Sequence, residues 1–544
     1  MKKKHLLYLS LVSGFIMCLA WYNTMYLGFW MLAALVPLLK MEDLIAANRE
    51  KLKLSSCAAF VYSYPAFFLY AFFNTWWISN ASFIGYVVPI AEAAFMSVVF
   101  QLYSYTKKAA SNKTAAYFFL CLYWIAYEYI QYTWDMNFPW LNLGNSFAHW
   151  PVLIQWYSLT GTEGGSLWML LSNISIYIMI KHWPLKTHES KRKRIVLYTC
   201  LPLVVVLPVM CSLIMWANYE DDSTESVNVV CVQPNLDPYN EQYYISSQQL
   251  VRRIVNLAEE SMDKNVSFLV LPESCLQEYA WEDSLEFAYS VRAMKQYVKN
   301  YGSCGLIAGM STRSLLPYGV KTPAARPVMF QTDRYYESYN TALFVPDNEA
   351  QNPMQLRHKS VLVVGVEKLP FKKYLPFVEK LALDMGGTVG SLGTDTAAKV
   401  FVSQSGKVKV GVPICWESID GNYSRQFVNN GADFLQIITN VGWWGDTPGY
   451  KQYFYISALR ALENRRYVSV CANTGFTGLV NARGQIISKS GYWQQEVYKF
   501  KVPLLKHKTL FTLKGDMIMK PFAFFSLLLI VYSVIKNKTQ KQKK

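Results

Sequence analysis

The stretch GVPICWESID, residues 411–420, places Cys415 at the end of an apolar run and directly before Trp416 and Glu417. Two other phrases end candidate strands with charged residues. They are LPES, residues 271–274, with Glu273, and RHKS, residues 357–360, with Lys359. Together these side chains can carry nucleophilic catalysis. A thiol attacks only as the thiolate, so its free pKa of about 8.5 must be lowered or a base supplied. Glu273 can take the thiol proton as general base and return it as general acid. Lys359 can stabilise both a waiting thiolate and a tetrahedral oxyanion. The backbone N–H of Trp416 can complete an oxyanion hole, one such donor being worth ~3 kcal/mol. Glu417 is expected to position an amine or to orient the lysine.

Each residue also has an ordinary explanation. An apolar-flanked cysteine is commonly an inert core residue, and Cys231, Cys275, Cys304 and Cys471 are assigned to that class. Glu273 alone reads as a salt-bridge partner and Lys359 alone as a solvated charge. Their joint order, glutamate then lysine then cysteine, each in a fitting phrase, is what favours catalysis. A cysteine–histidine dyad stays open, since His358 and His507 lie in the same half of the chain. A serine triad has no GxSxG phrase to support it. Six histidines in 544 residues are too few for metal hydrolysis. Ten cysteines without a CxxC pair argue against a zinc site or a disulfide framework. No metal and no other cofactor is expected.

The elements that must position these residues are strands alternating with helices. Apolar or β-branched runs predict strands at 226–233, 266–271, 304–310, 340–346, 407–414, 433–438 and 467–473. Helical periodicity falls at 242–263, 284–300, 422–430 and 449–464. This alternation predicts an α/β domain over 218–515 with its site at strand ends. The segment 311–338 reads as a long irregular excursion.

The rest of the chain differs in kind. Hydrophobic residues make up 52 % of the sequence and aromatic residues 16 %, while charged residues are only 17 %, below the roughly 25 % of soluble proteins. Apolar stretches at 6–22, 24–39, 57–77, 83–104, 114–132, 158–180 and 195–216 predict seven membrane spans within a domain of residues 1–217. An eighth, at 519–535, falls in 516–544, ahead of a basic tail. The first stretch is taken as a retained span because no small-residue cleavage site follows it. Alternate connections, with both termini, hold 21 Lys and Arg against four acids, which accounts for the whole net charge of +16. Positive charge marks the cytoplasmic side. The 218–515 domain is therefore expected outside the cytoplasm. The same placement removes the motive for nucleic-acid binding.

Glu273 in LPES, Lys359 in HKS and Cys415 in PICWE resemble the Glu–Lys–Cys triad of the carbon–nitrogen hydrolase (nitrilase) superfamily. VQPN (232–235), YNTALF (339–344), TNVGWWGDTPG (439–449) and RALENRRYVSVCANTGFTGLVNARG (460–484) add to it. Joined to seven spans before and one after, the domain resembles the apolipoprotein N-acyltransferase family. That resemblance implies an αββα sandwich on a membrane bundle of about eight helices, in the bacterial inner membrane, with the catalytic domain periplasmic. It implies a two-step transfer. Cys415 takes an acyl chain from a phospholipid as a thioester and passes it to the N-terminal amino group of a diacylglyceryl-cysteine on an apolipoprotein. Glu367 fits the family's second glutamate and Glu417 the acid after the nucleophile. VGVE (364–367) departs from the family's Pro-Phe-Gly-Glu, and Val441 replaces its acid in NVGWWG (440–445).

Both substrates carry acyl chains, and bringing a chain into water costs ~0.8 kcal/mol per CH₂. The nucleophile is therefore expected at the bilayer surface. VLVVGVEKLPF (361–371) reads as an apolar lid containing Val363 and Val364. Asn440, Trp443 and Trp444 are assigned to the substrate path. The alternatives are a membrane-anchored amidase acting on small amides, with the same triad, and a non-catalytic scaffold.

Overall fold

The computed structural model describes residues 2–81, 83–183, 194–346, 353–368, 370, 391–403 and 405–542. The chain divides into two units, Met1–Tyr219 with Lys514–Lys544, and Glu220–Leu513.

The first unit is helical. Its longer helices are Lys3–Met25, Val36–Asn48, Ala58–Thr75, Val87–Ala109, Phe119–Thr133, Tyr157–Lys181, Leu201–Ala217 and Met519–Gln542. Among the described residues, Lys3–Met25, Val87–Ala109, Val196–Ala217 and Met519–Thr539 are long and apolar enough to cross a bilayer. Large apolar side chains on the last two face outward, among them Leu207, Ile214, Phe524 and Leu527. That distribution suits a hydrocarbon solvent and not water.

The expected span at 24–39 is not one helix. The run breaks into a short 3₁₀ turn, Gly28–Leu32, and the first turns of Val36–Asn48, where Pro37 occupies a helix-start position. Proline lacks the N–H a helix interior needs, so it marks a beginning. Residues 40–53, one of the alternate basic connections expected from the sequence, are helical as far as Asn48. The basic connection 181–194 lies largely outside the described residues.

The second unit is built from two sheets whose central strands are buried on both faces. In chain order they are β1 (Ser226–Gln233), β2 (Val266–Val270), β3 (Leu276–Trp281), β4 (Gly305–Leu315), β5 (Arg326–Pro327), β6 (Tyr335–Val345) and β7 (Gln355–His358). Then follow β8 (Val400–Val402), β9 (Lys409–Gly411), β10 (Phe434–Thr439), β11 (Val468–Ala472), β12 (Gly478–Val480), β13 (Ile486–Lys489) and β14 (Glu496–Pro503). One sheet runs β14-β1-β2-β4-β6-β5, with β3 on β4 and β7 on β6, and the other runs β13-β12-β11-β10-β9-β8.

Side chains alternate across each strand. Val230, Val232, Leu269, Leu306 and Ala308 form one core with Leu250, Ile254, Val291 and Met294 from the helices Ser247–Ala258 and Tyr289–Val298. Residues of opposite parity turn to the other sheet. Phe268 meets Phe434 at 6.1 Å between ring centroids, and Phe344 meets Phe401 at 6.0 Å. Cys231 and Cys471 lie in this interior layer, where Cys231 Sγ is 3.4 Å from Ser469 Oγ. With the helices Gly421–Asn429 and Pro448–Asn464 packed on β10 and β11, the order is helix, sheet, sheet, helix, a nitrilase-like α/β fold.

The excursion expected at 311–338 is largely ordered. β4 and β6 pair antiparallel from Leu306↔Val345 to Leu315↔Tyr336, a ladder whose polar outer residues hid its alternation. The expected strand at 407–414 shrinks to β9, because the chain beyond it turns toward Cys415, and Ile414 keeps a single bridge to Ile438.

β2 and β4 are parallel, and β4 presses on the turn that follows β2. Gly309 N donates to Pro272 O at 3.2 Å. A Cβ on Gly309 would lie 2.5 Å from that oxygen and 2.6 Å from Glu273 Cα. Gly309→Ala is therefore expected to force this turn outward and to destabilise by about 1–3 kcal/mol. A lowered Tm for the purified chain would show it; an unaltered Tm would mean the turn yields freely.

Candidate active site

Glu273 follows β2, Lys359 follows β7, and Cys415 opens the 3₁₀ turn Cys415–Ser418. The three are 6 %, 1 % and 6 % exposed. Lys359 Nζ donates to Glu273 Oε1 at 2.9 Å and lies 2.9 Å from Glu367 Oε2. Asn340 Nδ2, on β6, donates to Oε1 of both glutamates at 2.8 Å. Asn440 N donates to Glu273 Oε2 at 3.0 Å, and Val363 N donates to Glu367 Oε2 at 2.9 Å. The fold thus gathers Glu273, Lys359 and Glu367 into one ion cluster beside Cys415.

Burial alone would lower the Lys359 pKa, but Glu273 and Glu367 outweigh it and hold the ammonium well above its usual range. It is a permanent cation at neutral pH. Cys415 behaves differently. Burial, then the charge on Glu273, push its thiol far up, and Lys359 with the Thr439 hydroxyl only partly oppose this. A thiol raised in this way favours its protonated form over the thiolate. Attack requires a base, and Glu273 is the carboxylate whose charge the sulfur feels most.

Cys415 has φ 45°, the left-handed region that unbranched L-residues enter only at a cost. Neighbouring hydroxyls hold it there. Its carbonyl accepts from Ser418 Oγ at 2.8 Å and Tyr453 OH at 3.0 Å, and Ser457 Oγ lies 2.8 Å from Ser418 Oγ.

Glu417 neither touches the lysine nor lies open to an amine. It is fully buried, and its carboxylate receives Arg357 in a two-pronged pair at 2.7 Å and 2.7 Å. It also accepts from Ser360 N at 2.6 Å and Ile414 N at 2.7 Å. Ser360 follows the lysine and Ile414 precedes the cysteine, so this one carboxylate ties the two backbones together. Arg357, also fully buried, donates further to Val412 O at 2.7 Å and lies over the Phe427 ring.

His358 does not form a dyad with Cys415. Its Nε2 lies 2.7 Å from Glu282 Oε1 and its Nδ1 3.2 Å from Asp395 Oδ1, while the ring stacks on Tyr339. Burial lowers its pKa, but the two carboxylates reverse the sign and raise it.

Asn440 serves the base through its backbone, and its side chain donates to Gln242 Oε1 at 2.8 Å. Trp443 is half-buried, edge-on to Tyr239 at 5.1 Å, and Trp444 lies 6.1 Å from Tyr453. Val363 and Val364 are half-buried in a turn closed by Glu367 N and Lys368 N on Val363 O, with Gly365 at φ 85°. The expected lid at 361–371 continues into residues outside the described set. Among the described residues no group of His, Cys, Asp and Glu could hold a metal ion.

Sequence reasoning passed over Asn340 and Arg357. Asn340 lay inside the quoted YNTALF without a role. Arg357 stands two residues before the lysine in a mostly polar stretch, QLRHKS, which gives no local sign that it faces inward onto a buried acid.

Residues 229–505 match the family described as carbon-nitrogen hydrolase, and residues 13–175 match the apolipoprotein N-acyltransferase N-terminal domain. An apolipoprotein N-acyltransferase of Chlorobaculum tepidum is 27 % identical over 84 % of this chain and 84 % of its own length. One from Geobacter metallireducens is 25 % identical over 73 % of this chain and 70 % of its own. The crystal structure of Saccharomyces cerevisiae Nit3, a member of the nitrilase superfamily, overlaps 53 % of this chain and 93 % of its own at 16 % identity and a TM-score of 0.36.

Removing one partner of a buried ion pair strands the other, at about 3–5 kcal/mol. Arg357→Met is expected to lower Tm by that measure. The double variant Arg357→Met, Glu417→Leu is expected to recover part of the loss. A double variant no better than the single one would show that the pair is not the source of the loss.

Proposed function

Because the chain belongs to the carbon–nitrogen hydrolase family, we propose that it transfers an acyl chain from a membrane phospholipid to the N-terminal amino group of the diacylglyceryl-cysteine of apolipoproteins. The observation that carries this reading is the buried Glu273–Lys359–Glu367 cluster beside Cys415, in one chain with helices apolar enough to cross a bilayer. The matching N-terminal domain and the named relatives support the acceptor.

The chemistry runs in two halves. Glu273 takes the Cys415 proton as Sγ attacks the ester carbonyl carbon. The tetrahedral oxyanion is met by Lys359 and the Trp416 N–H. Its collapse breaks the ester C–O bond, and the lysophospholipid oxygen leaves with the proton from Glu273. In the second half the acceptor's neutral amine attacks the thioester and gives a proton to Glu273. The C–S bond breaks, and Glu273 returns the proton to sulfur. Glu367 and Glu417 hold the lysine and the nucleophile's backbone. No cofactor enters.

Eight spans, both termini in the cytoplasm and a catalytic domain on the periplasmic side of the bacterial inner membrane complete the proposal. The clustering of positive charge in alternate connections supports that orientation. Trp443 and Trp444, with Asn440, line the acyl path. Val363 and Val364 belong to a lid that keeps water from the thioester. Introducing aspartate at both valines is expected to slow turnover at least several-fold while Tm stays put. Turnover equal to the native enzyme's would remove the lid.

The decisive measurement is mass spectrometry of the intact chain after incubation with phospholipid alone. An added acyl mass on Cys415 is expected, and none in Cys415→Ser. Hydrolysis of small amides without any acyl adduct would replace this reading with a membrane-anchored amidase.

A further inference from the structure

β2 and β4 run parallel with Val270 opposite Ile307. Glu273 emerges just beyond the end of β2, so that end of the sheet is the active-site end. β4 continues in the same direction for eight more residues, from Ile307 to Leu315. The hairpin it makes with β6 therefore projects from the end that holds the nucleophile. β6 returns along the same path and delivers Asn340 to Glu273 and Glu367.

The hairpin tip is ordered. Leu316 N donates to Tyr335 O at 2.9 Å, Gly319 N to Asp333 O at 3.0 Å and Val328 N to Arg334 O at 2.8 Å. Arg326 and Pro327 add a short strand beside Tyr336 and Tyr335. Yet this ordered tip leaves its largest apolar side chains in the open. Phe330 is 100 % exposed, Met329 76 % and Tyr318 72 %. Phe330 has φ 62°, a turn conformation a bulky residue adopts only under constraint. Folding alone gives no reason to display such residues on a braced turn.

The charges around them are mostly positive. Residues 311–338 contain Arg313, Lys321, Arg326 and Arg334 against Asp333 and Glu337. Glu337 is buried and is engaged by Thr322 and Tyr339. That leaves Asp333 as the exposed acid of this segment.

The geometry points to this hairpin as a lipid-docking element, which sets Met329, Phe330 and Tyr318 into the headgroup region of an anionic bilayer while Lys321, Arg326 and Arg334 meet the phosphates. An apolar tip ringed by cations is the pattern of interfacial membrane binding. The inference rests on the acyltransferase reading only for its purpose, which is to hold the nucleophile near the donor's ester. β6 joins the tip to Asn340 within a few residues, so docking and catalysis share one strand.

The test uses the full chain in bilayer nanodiscs, with p-benzoylphenylalanine replacing Phe330. A second variant carries it at Lys264, an exposed position just before β2 at the opposite end of the sheet. Nanodiscs contain tritiated phosphatidylcholine alone or with a share of tritiated phosphatidylglycerol. Illumination is expected to attach lipid at position 330, at least threefold more with the anionic lipid present, and at position 264 hardly at all. Adducts to a second protein chain, no lipid adduct at 330, equal yields in the two bilayers, or equal yields at the two positions would each overturn it. Photochemistry needs no turnover, so the outcome is separate from whether Cys415 becomes acylated.

Discussion

A lysine ammonium that water scarcely reaches organises the catalytic unit. Lys359 is 1 % exposed, and an isolated charge so placed would cost several kcal/mol. Two carboxylates and an asparagine make it tolerable. The cluster then holds two anions, Glu273 and Glu367, for one cation. That surplus negative charge, added to burial, is why the neighbouring thiol keeps its proton. Moving the proton from Cys415 to Glu273 leaves the total charge unchanged, so the nucleophile can be made without bringing in an ion.

Holding such a cluster demands a frame that cannot drift. The frame here consists mainly of second polar contacts. Glu417 gathers Arg357 and the amides of Ser360 and Ile414, so the lysine and cysteine segments move as one. The hydroxyls of Ser418 and Tyr453 fix the nucleophile's carbonyl. Gly309 lets β4 lie against the turn of Glu273. None of these groups is free to meet substrate; each sets the position of one that is. The helical unit obeys another rule. Its outermost helices turn apolar faces outward, since hydrocarbon rewards what water would penalise.

Much of this was legible in the residues. Strands such as β1 and β10 announced themselves because both faces are apolar and turn residues bound them. Glu273 and Cys415 stand out because each closes such a run, and Lys359 because it falls between them in the order glutamate, lysine, cysteine. The roles of their neighbours were not legible. Glu417 reads from its phrase as a residue that positions an amine or orients the lysine, and only the fold that brings the Arg357 side chain onto it reveals it as a clamp. Asn440 was read as part of the substrate path, and nothing in its phrase tells that its backbone amide also serves the base. The thiol's protonation state depends on burial and on the net charge of groups far apart in the chain, which no local phrase encodes. Short strands such as β5, β8 and β12 were missed because two or three residues carry too little alternation. The 24–39 stretch misled because hydropathy alone ignores what Pro37 does to a backbone.

The backbone twist at Cys415 has an evolutionary corollary. A side chain forked at Cβ is strained at φ 45° more than an unbranched one. Serine can therefore replace cysteine there at less conformational cost than threonine. The shape of the turn thus bears on which nucleophile the position takes.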